Sequence, residues 1–269
     1  MFGWKRCKPV ELIPFAQTRP RVFNELLCDG VTAYNLPAFA DLLALHAQLQ
    51  GERPGVRVLA SLDDLGQAAY TSGHGTEVNR LDDVEGYDLS QLDTALFEDG
   101  EHRGYLSTPA EFPIRLSNLL RGAVGLEAVR SLLLWETAGD ADDPVTINRD
   151  PDAALGIAQE KEVIFQFVPV DSAADAIAAF PNGYFHGDLN PFQTHALARY
   201  LEAQHGFALF GVGSRFLGFR RERLLSGAEA QRLAAVLCGL YADTPEAAEG
   251  VLATLLTGRD WLLFRYTES

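Results

Sequence analysis

The chain has 269 residues, of which 47% are hydrophobic and 22% are charged, a composition typical of a packed globular protein. Its formal net charge of −15 disfavours unspecific binding to nucleic acids and to anionic membranes, because both carry negative charge. No apolar run is long enough to cross a bilayer, and the first residues lack the apolar stretch of a secretory signal.

The three cysteines, Cys7, Cys28 and Cys238, are far apart in the sequence and are not accompanied by a Cys-x-x-Cys or Cys/His cluster. This pattern supports neither a disulfide framework nor a thiolate zinc site. Free thiols are typical of a reducing compartment. We therefore expect a cytoplasmic protein that uses no metal and no cofactor.

The first half of the chain alternates strand-like and helix-like segments. Strands are predicted where β-branched and aromatic residues cluster, and helices where apolar residues recur every three or four positions. The predicted order is strand 11–15, helix 20–28, strand 31–34, helix 38–49, strand 55–60, a glycine-rich acidic loop at 73–88 and strand 131–137.

The second half follows an acidic connection with prolines at residues 141–154. Its predicted elements are strand 162–170, helix 171–180, helix 191–205, strands 207–212 and 216–222, helices 226–241 and 244–256, and strand 261–267. The helix at 191–205 has the clearest ends, with Asn190 as N-cap, Pro191 at the first helical position and Gly206 after the last turn.

The alternation of strands and helices predicts an α/β or α+β fold with a mixed sheet and flanking helices. The same order of elements in both halves also raises the hypothesis of two related β-α-β-α-β units in tandem. On this basis the chain divides into an N-terminal half at 1–140, the connection at 141–154 and a C-terminal half at 155–269 that carries the candidate site.

The candidate site lies at the polar turn that precedes the helix at 191–205. A helix N-terminus presents free N–H groups and a partial positive charge, and with the polar residues around it this turn could form a small anion or metal site, or an acid–base pair. His186 and Asp188 are the catalytic candidates; Asn190, His195 and Arg215 are the ligand-binding candidates. The alternative is structural: Asp188 and Asn190 cap the helix, and His186 hydrogen-bonds a buried carbonyl.

The run His186-Gly187-Asp188-Leu189 resembles the catalytic loop of aminoglycoside-phosphotransferase-like kinases. That resemblance implies an aspartate that orients the acceptor hydroxyl, followed five residues later by an asparagine that binds magnesium. Gln193 stands at the asparagine position, and no glycine-rich hairpin with a strand lysine is present in the first half. The resemblance stops at four residues, so we base no assignment on it.

Other polar groups have structural interpretations. Residues 211–215 begin like a phosphate-binding loop, but Phe216 occupies the place of the third glycine, which favours a tight turn between strands. His74 precedes several acidic residues in an arrangement that matches no calcium loop. His102 is expected at the surface, and the arginines in 220–223 at a solvated strand end.

The sequence leaves three functions open. The missing catalytic signature and the net charge of −15 favour an acidic binding or adaptor protein, similar to immunity or regulatory proteins, that engages a basic protein partner. The alternative is an enzyme or small-ligand-binding protein with its site at the turn 186–190. A structural subunit of a larger assembly is a third hypothesis, and the sequence leaves the oligomeric state open.

Overall fold

The computed structural model describes residues 8–18, 26–135 and 143–267, and within them seven strands form a mixed sheet in the order β1-β2-β6-β3-β7-β8-β9. The strands are β1 (Glu11–Pro14), β2 (Gly30–Tyr34), β3 (Arg57–Ser61), β6 (Val163–Val168), β7 (Ala208–Val212), β8 (Phe216–Arg220) and β9 (Trp261–Arg265). A separate small hairpin contains β4 (Phe97–Glu98) and β5 (Glu101–His102). The predicted α/β or α+β class with a mixed sheet is therefore confirmed.

Strand β3 lies in the middle of this sheet and has partners of both orientations. It pairs antiparallel with β6 and parallel with β7, whereas the other neighbouring strands in the described part of the sheet are antiparallel. Because β3 and β7 are parallel, their carboxyl ends meet at the same edge of the sheet. Strand β6 separates β2 from β3, so strands from both halves of the chain form one sheet.

Helices cover both faces of the sheet. They are α1 (Phe15–Thr18), α2 (Phe39–Glu52), α3 (Leu65–Val78), α4 (Phe112–Arg121), α5 (Pro144–Arg149), α6 (Pro151–Leu155), α7 (Pro191–His205), α8 (Gly227–Cys238) and α9 (Ala248–Leu256). Alternate strand residues enter opposite apolar clusters: Ile164 packs in the cluster with Leu197 of α7, and Phe165 in the cluster with Leu42 of α2. The sheet is thus buried on both faces.

The predicted helix at 191–205 is confirmed at both ends. The Asn190 side chain accepts hydrogen bonds from the backbone N–H groups of Phe192 and Gln193, Pro191 occupies the first turn, and Gly206 closes the helix with a left-handed φ of 69°. The predicted strand pair that follows is also present, since β7 and β8 form an antiparallel hairpin. Capping and turn chemistry is local, which explains why the sequence predicts these boundaries well.

Helix α3 covers part of the segment that was predicted to be a loop. The glycine content of residues 73–88 predicts a loop, whereas α3 continues to Val78. Gly75 has a packing reason to be glycine: a methyl group there would lie 2.9 Å from the backbone oxygen of Pro181. The helix therefore packs directly on the backbone of residues 181–183, and glycine here indicates close approach instead of a turn.

Three other predicted segments also differ from the structure. The helix at 171–180 is a 3-10 helix over Ala174–Ala179, and the strand at 131–137 is reduced to one bridge between Leu133 and Tyr241, with residues 136–137 outside the described part. Residues 20–25 of the predicted helix 20–28 also lie outside it. The connection at 141–154 contains α5 and α6, because Asp143 and Asp150 each cap a helix that starts with proline.

A buried histidine makes the stability of this fold depend on pH. His46 of α2 is 7% exposed, and its Nε2 atom lies 2.8 Å from the Val58 oxygen. Burial lowers the pKa of His46 to about 4. In the unfolded chain this histidine takes up a proton near its ordinary pKa of about 6.5, whereas in the folded chain it does so only near 4. Its contribution to stability is therefore present above pH ~6.5 and is lost as the pH falls through this window.

We expect the wild type to lose roughly 3 kcal/mol more than His46→Gln between pH 7 and pH 4, from the size of this pKa difference. Urea denaturation of both proteins across this range measures the difference. The pKa of His205 is also lowered, mainly by burial, so the comparison between the two proteins isolates His46. Parallel curves for the two proteins would contradict the prediction.

Candidate functional site

The polar turn before α7 is closed by its own hydrogen bonds. The backbone N–H of Phe185 donates to Oδ2 of Asp188 at 3.1 Å, and the backbone N–H of Asp188 donates to the Phe185 oxygen at 3.0 Å. His186 and Gly187 lie at the tip of this turn, and His186 is exposed. The turn therefore fixes the Asp188 side chain while His186 faces solvent.

The side chains of Asn190 and His195 make structural hydrogen bonds. Asn190 caps α7, and Gln193 completes a reciprocal capping box by accepting from the Asn190 N–H at 2.9 Å. Gln193 also donates from Nε2 to the Ala128 oxygen at 3.1 Å, so it has a structural role at the position where the kinase loop has a metal ligand. His195 is fully buried, and its Nε2 lies 2.8 Å from Oδ1 of Asp175.

Asp188 and Arg215 do share a site, which we call the carboxyl-end cleft. This cleft of about 350 Å³ is lined by Asp64, Gln67, Thr71, Phe185, Asp188, Ser214 and Arg215. Asp64 follows β3, and Ser214 and Arg215 follow β7, so the cleft lies where the two parallel strands end. The carboxyl ends of parallel strands are a common place for ligand sites in sheets with flanking helices.

Asp63 holds one wall of the carboxyl-end cleft in place. Its buried carboxylate accepts from Ser214 Oγ at 2.8 Å and from Arg215 Nε at 3.1 Å. Burial raises the pKa of Asp63, while Ser214 and Arg215 oppose that shift. Gly213 gives the carboxylate its space, because a methyl group there would lie 1.8 Å from Asp63 Oδ1. Two aspartates directly after a buried strand are the sequence signal that could have identified this wall.

Next to the cleft, four aromatic rings form a contiguous surface that we call the ladder: Tyr70, His74, Tyr184 and Phe185. Ring centroids are 4.5 Å apart for Tyr70 and His74, 4.8 Å for His74 and Tyr184, and 5.2 Å for Tyr184 and Phe185. Tyr70 is 58% exposed, Phe185 43% and Tyr184 39%. The close approach of α3 to residues 181–183 brings His74 and Tyr184 together, which sequence reasoning missed because it predicted a loop at 73–88.

The acidic segment, residues 77–101, follows directly after the ladder residues of α3. It contains nine acidic residues and one arginine, a net charge of −8. Seven of the acids are exposed: Glu77, Glu85, Asp88, Asp93, Glu98, Asp99 and Glu101. More than half of the net charge of the whole chain therefore lies in this one surface segment.

Hydrogen bonds from helix α4 hold residues 81–83 of the acidic segment in place. Arg115 donates from Nε to Asp82 Oδ1 at 2.7 Å and from Nη2 to Asp82 Oδ2 at 3.0 Å. Asn118 donates to the backbone oxygens of Leu81 and Asp83, both at 2.8 Å. A backbone hydrogen bond from Glu85 lowers the pKa of the Asp83 carboxyl group.

His102 corrects the expectation of a surface residue. Its side chain is 3% exposed, and Nε2 lies 2.8 Å from Oε1 of Glu111, which is fully buried. The His102 Nδ1 atom accepts from the Gly104 N–H at 3.1 Å, so Nε2 carries the proton that is donated to Glu111. The pair anchors the small β4–β5 hairpin.

The other polar groups singled out in the sequence are structural. Residues 213–215 form the turn between β7 and β8 that was predicted, and residues 211–212 end β7. Arg221 is 8% exposed, and both Arg221 and Arg223 contact Glu229, at 3.2 Å and 2.6 Å. These arginines are therefore paired with an acid at the start of α8, and Arg221 does not lie at a solvated strand end.

No helix within the described residues is long and apolar enough to span a membrane, and no group of three His, Cys, Asp or Glu residues among them is arranged to hold a metal ion. No protein-family model, curated protein or solved structure matches the chain. Function must therefore be inferred from the chemistry of this surface.

Proposed function

We propose that this protein binds a basic protein partner through the α3 face, the surface formed by the ladder and the acidic segment. The observation that carries the proposal is the position of four contiguous, solvent-facing rings beside a segment with a net charge of −8. The rings supply apolar contact area, and the carboxylates supply long-range attraction.

The ladder has the properties of a protein-binding anchor. Aromatic residues are enriched at the centres of protein interfaces, where they contribute much of the binding energy. Tyr70 is 58% exposed and Tyr184 39%, and the His74 ring between them stacks on Tyr184 and meets Tyr70 edge to face. A pre-ordered set of rings loses little conformational entropy when a partner binds.

The acidic segment determines the charge of the partner. Arg115 offsets the Asp82 carboxylate, but seven other carboxylates of the segment are exposed and give a negative field, and α4 holds residues 81–83 in place. Such a field steers a positively charged partner toward the ladder and repels acidic competitors. The field is screened by salt, so binding should weaken as ionic strength rises.

The alternative, an enzyme with its site at the turn 186–190, has less support in the geometry. Asp188 and Arg215 share the carboxyl-end cleft, but His186, Asn190 and His195 do not line it. The proposed acid–base histidine and two of the three proposed ligand contacts therefore lie outside the cleft that Asp188 and Arg215 share.

Selection of peptides from a displayed random library against the immobilised protein tests the proposal. We expect the enriched peptides to be rich in arginine and lysine. The affinity of a synthetic enriched peptide should fall at least about tenfold in the double variant Tyr70→Ala/Tyr184→Ala, because interface tyrosines contribute strongly when truncated. It should also fall when sodium chloride is raised, as fluorescence anisotropy will show.

Leu224→Ala is the matched control. Leu224 is 62% exposed and follows Arg223, which lines a cleft at the amino ends of β3 and β7, far from the α3 face. This variant should bind the peptide like the wild type. Enrichment of acidic or neutral peptides, or equal losses in the ladder variant and in Leu224→Ala, would refute the proposal.

A further inference from the structure

A cavity of about 580 Å³ adjoins the α3 face on the side away from the carboxyl-end cleft. Helix α3 forms one wall through Ser72, Gly73, Thr76 and Glu77, and residues 104–107 form the opposite wall. Its volume falls within the range of small-ligand sites. Because Glu77 belongs both to this cavity and to the acidic segment, the cavity is continuous with the proposed binding surface.

Three residues that carry hydroxyl groups and are less than a tenth exposed line this cavity. Ser72 is 6% exposed, and Thr76 and Ser107 are each 7% exposed. Within the described ranges their hydroxyl groups make no hydrogen bond, and these oxygens are not among the fully buried unpaired atoms, so they are open to the space of the cavity. The oxygens of three such groups are therefore available to a ligand that carries several hydrogen-bond donors.

The charges around the cavity favour a cation. Asp82 and Arg115 both line it, and because Arg115 holds both carboxylate oxygens of Asp82, this pair is internally neutral. Glu77 adds a carboxylate whose side chain is 83% exposed and lies 4.0 Å from the His74 ring, its one ion-pair neighbour among the described residues. Tyr105 contributes a ring that is 38% exposed, and a ring face attracts a cation.

We infer that this cavity receives an arginine side chain of the basic partner, an inference that rests on the proposed function. A guanidinium group has five donors in one plane, which suits the three hydroxyl oxygens and the Glu77 carboxylate, and its flat face can stack on Tyr105. Lysine has fewer donors and no flat face, so it binds more weakly in the same position.

Titration of the labelled protein with N-acetyl-arginine amide, followed by NMR, tests this inference without the partner. We expect saturable shifts at the amide signals of Gly73, Thr76, Tyr105 and Ser107. N-acetyl-citrulline amide, which has the same shape without the charge, should bind at least about tenfold more weakly, because hydrogen bonds to a charged group are the stronger ones.

Gly73→Leu should strongly reduce the shifts, because its side chain would occupy part of the cavity that Gly73 lines. A Cβ atom at Gly73 meets no other atom within 4 Å, so this variant should fold normally. Gly51→Leu on α2 is the matched control, since Gly51 is also a helical glycine with open space and does not line the cavity. This control should keep the binding of the arginine probe.

The two proposals fail in different ways. Any of three results would refute the arginine pocket and leave the peptide result unaffected. These are shifts spread over the acidic surface, equal binding of the citrulline probe, and unchanged binding of the arginine probe by Gly73→Leu. If the peptide selection yields no basic sequences while the arginine probe still binds in the cavity, the protein-partner proposal fails, and the pocket then binds free guanidinium compounds.

Discussion

Replacing Asp63 by alanine is expected to lower the free energy of unfolding by about 3 kcal/mol. The substitution removes the acceptor for the Ser214 hydroxyl and the Arg215 guanidinium while both donors stay in place. The raised pKa of Asp63 indicates that the cost of burying its charge exceeds the stabilisation that Ser214 and Arg215 give to that charge. The loss therefore comes from the hydrogen bonds that Ser214 and Arg215 lose and from the cavity left behind, not from the removal of a strongly favourable ion pair, since Arg215 still donates to the Ala154 oxygen.

Urea denaturation at neutral pH measures this change, and Ser214→Ala provides the comparison. That variant removes one hydrogen bond to the same carboxylate and should cost only about 1 kcal/mol. If Asp63→Ala and Ser214→Ala have equal effects, Asp63 does not organise the wall of the carboxyl-end cleft. In that case the hydroxyl contact alone accounts for the contribution of this carboxylate.

The second large effect is expected from two glycines that lie two positions apart in α3. Gly75→Ala should destabilise the protein by about 2 kcal/mol, because the new methyl group would lie 2.9 Å from the Pro181 oxygen and 3.6 Å from the Gly183 oxygen. Both contacts are backbone atoms, which cannot move aside as a flexible side chain can. The segment that carries Tyr184 would then shift away from His74.

Gly73→Ala is the internal control for this prediction. It introduces the same methyl group into the same helix, but no atom lies within 4 Å of the new position. Alanine is favoured over glycine in a helix, so this variant should be more stable than the wild type by up to about 1 kcal/mol. Chemical denaturation of the two variants should therefore give changes of opposite sign, and changes of the same sign would contradict the packing described for α3.

The elements that the sequence predicts well are those determined by neighbouring residues. Helix α7 is bounded by Asn190 and Gly206, whose capping geometry depends only on the adjacent turn. Helix α3 is the opposite case, because the reason for Gly75 lies at Pro181, far along the chain. The position of β6 between β2 and β3 is likewise set by contacts distant in sequence, which local patterns do not encode.

The candidate site shows the same division. Asp188 and Arg215 could be selected from the sequence as polar residues next to predicted strands and helices, and both line one cleft. The Asp63-Asp64 pair after β3 indicates a polar strand end, but the contacts of Asp63 with Ser214 and Arg215 and the stacking of His74 on Tyr184 depend on how distant segments pack, so no local pattern predicts those contacts. The number of acidic residues in the acidic segment can be read from the sequence, but the position of the segment beside the ladder is known only from the fold.

The insertion of β6 between β2 and β3 has a consequence for biosynthesis. During translation, β2 and β3 leave the ribosome long before β6, and β7 follows later still. Strand β3 therefore has neither of its neighbours while the first half is made, and β2 keeps one open edge. A nascent chain of this kind exposes unpaired strands until its second half arrives, a period in which aggregation competes with folding and chaperones can bind.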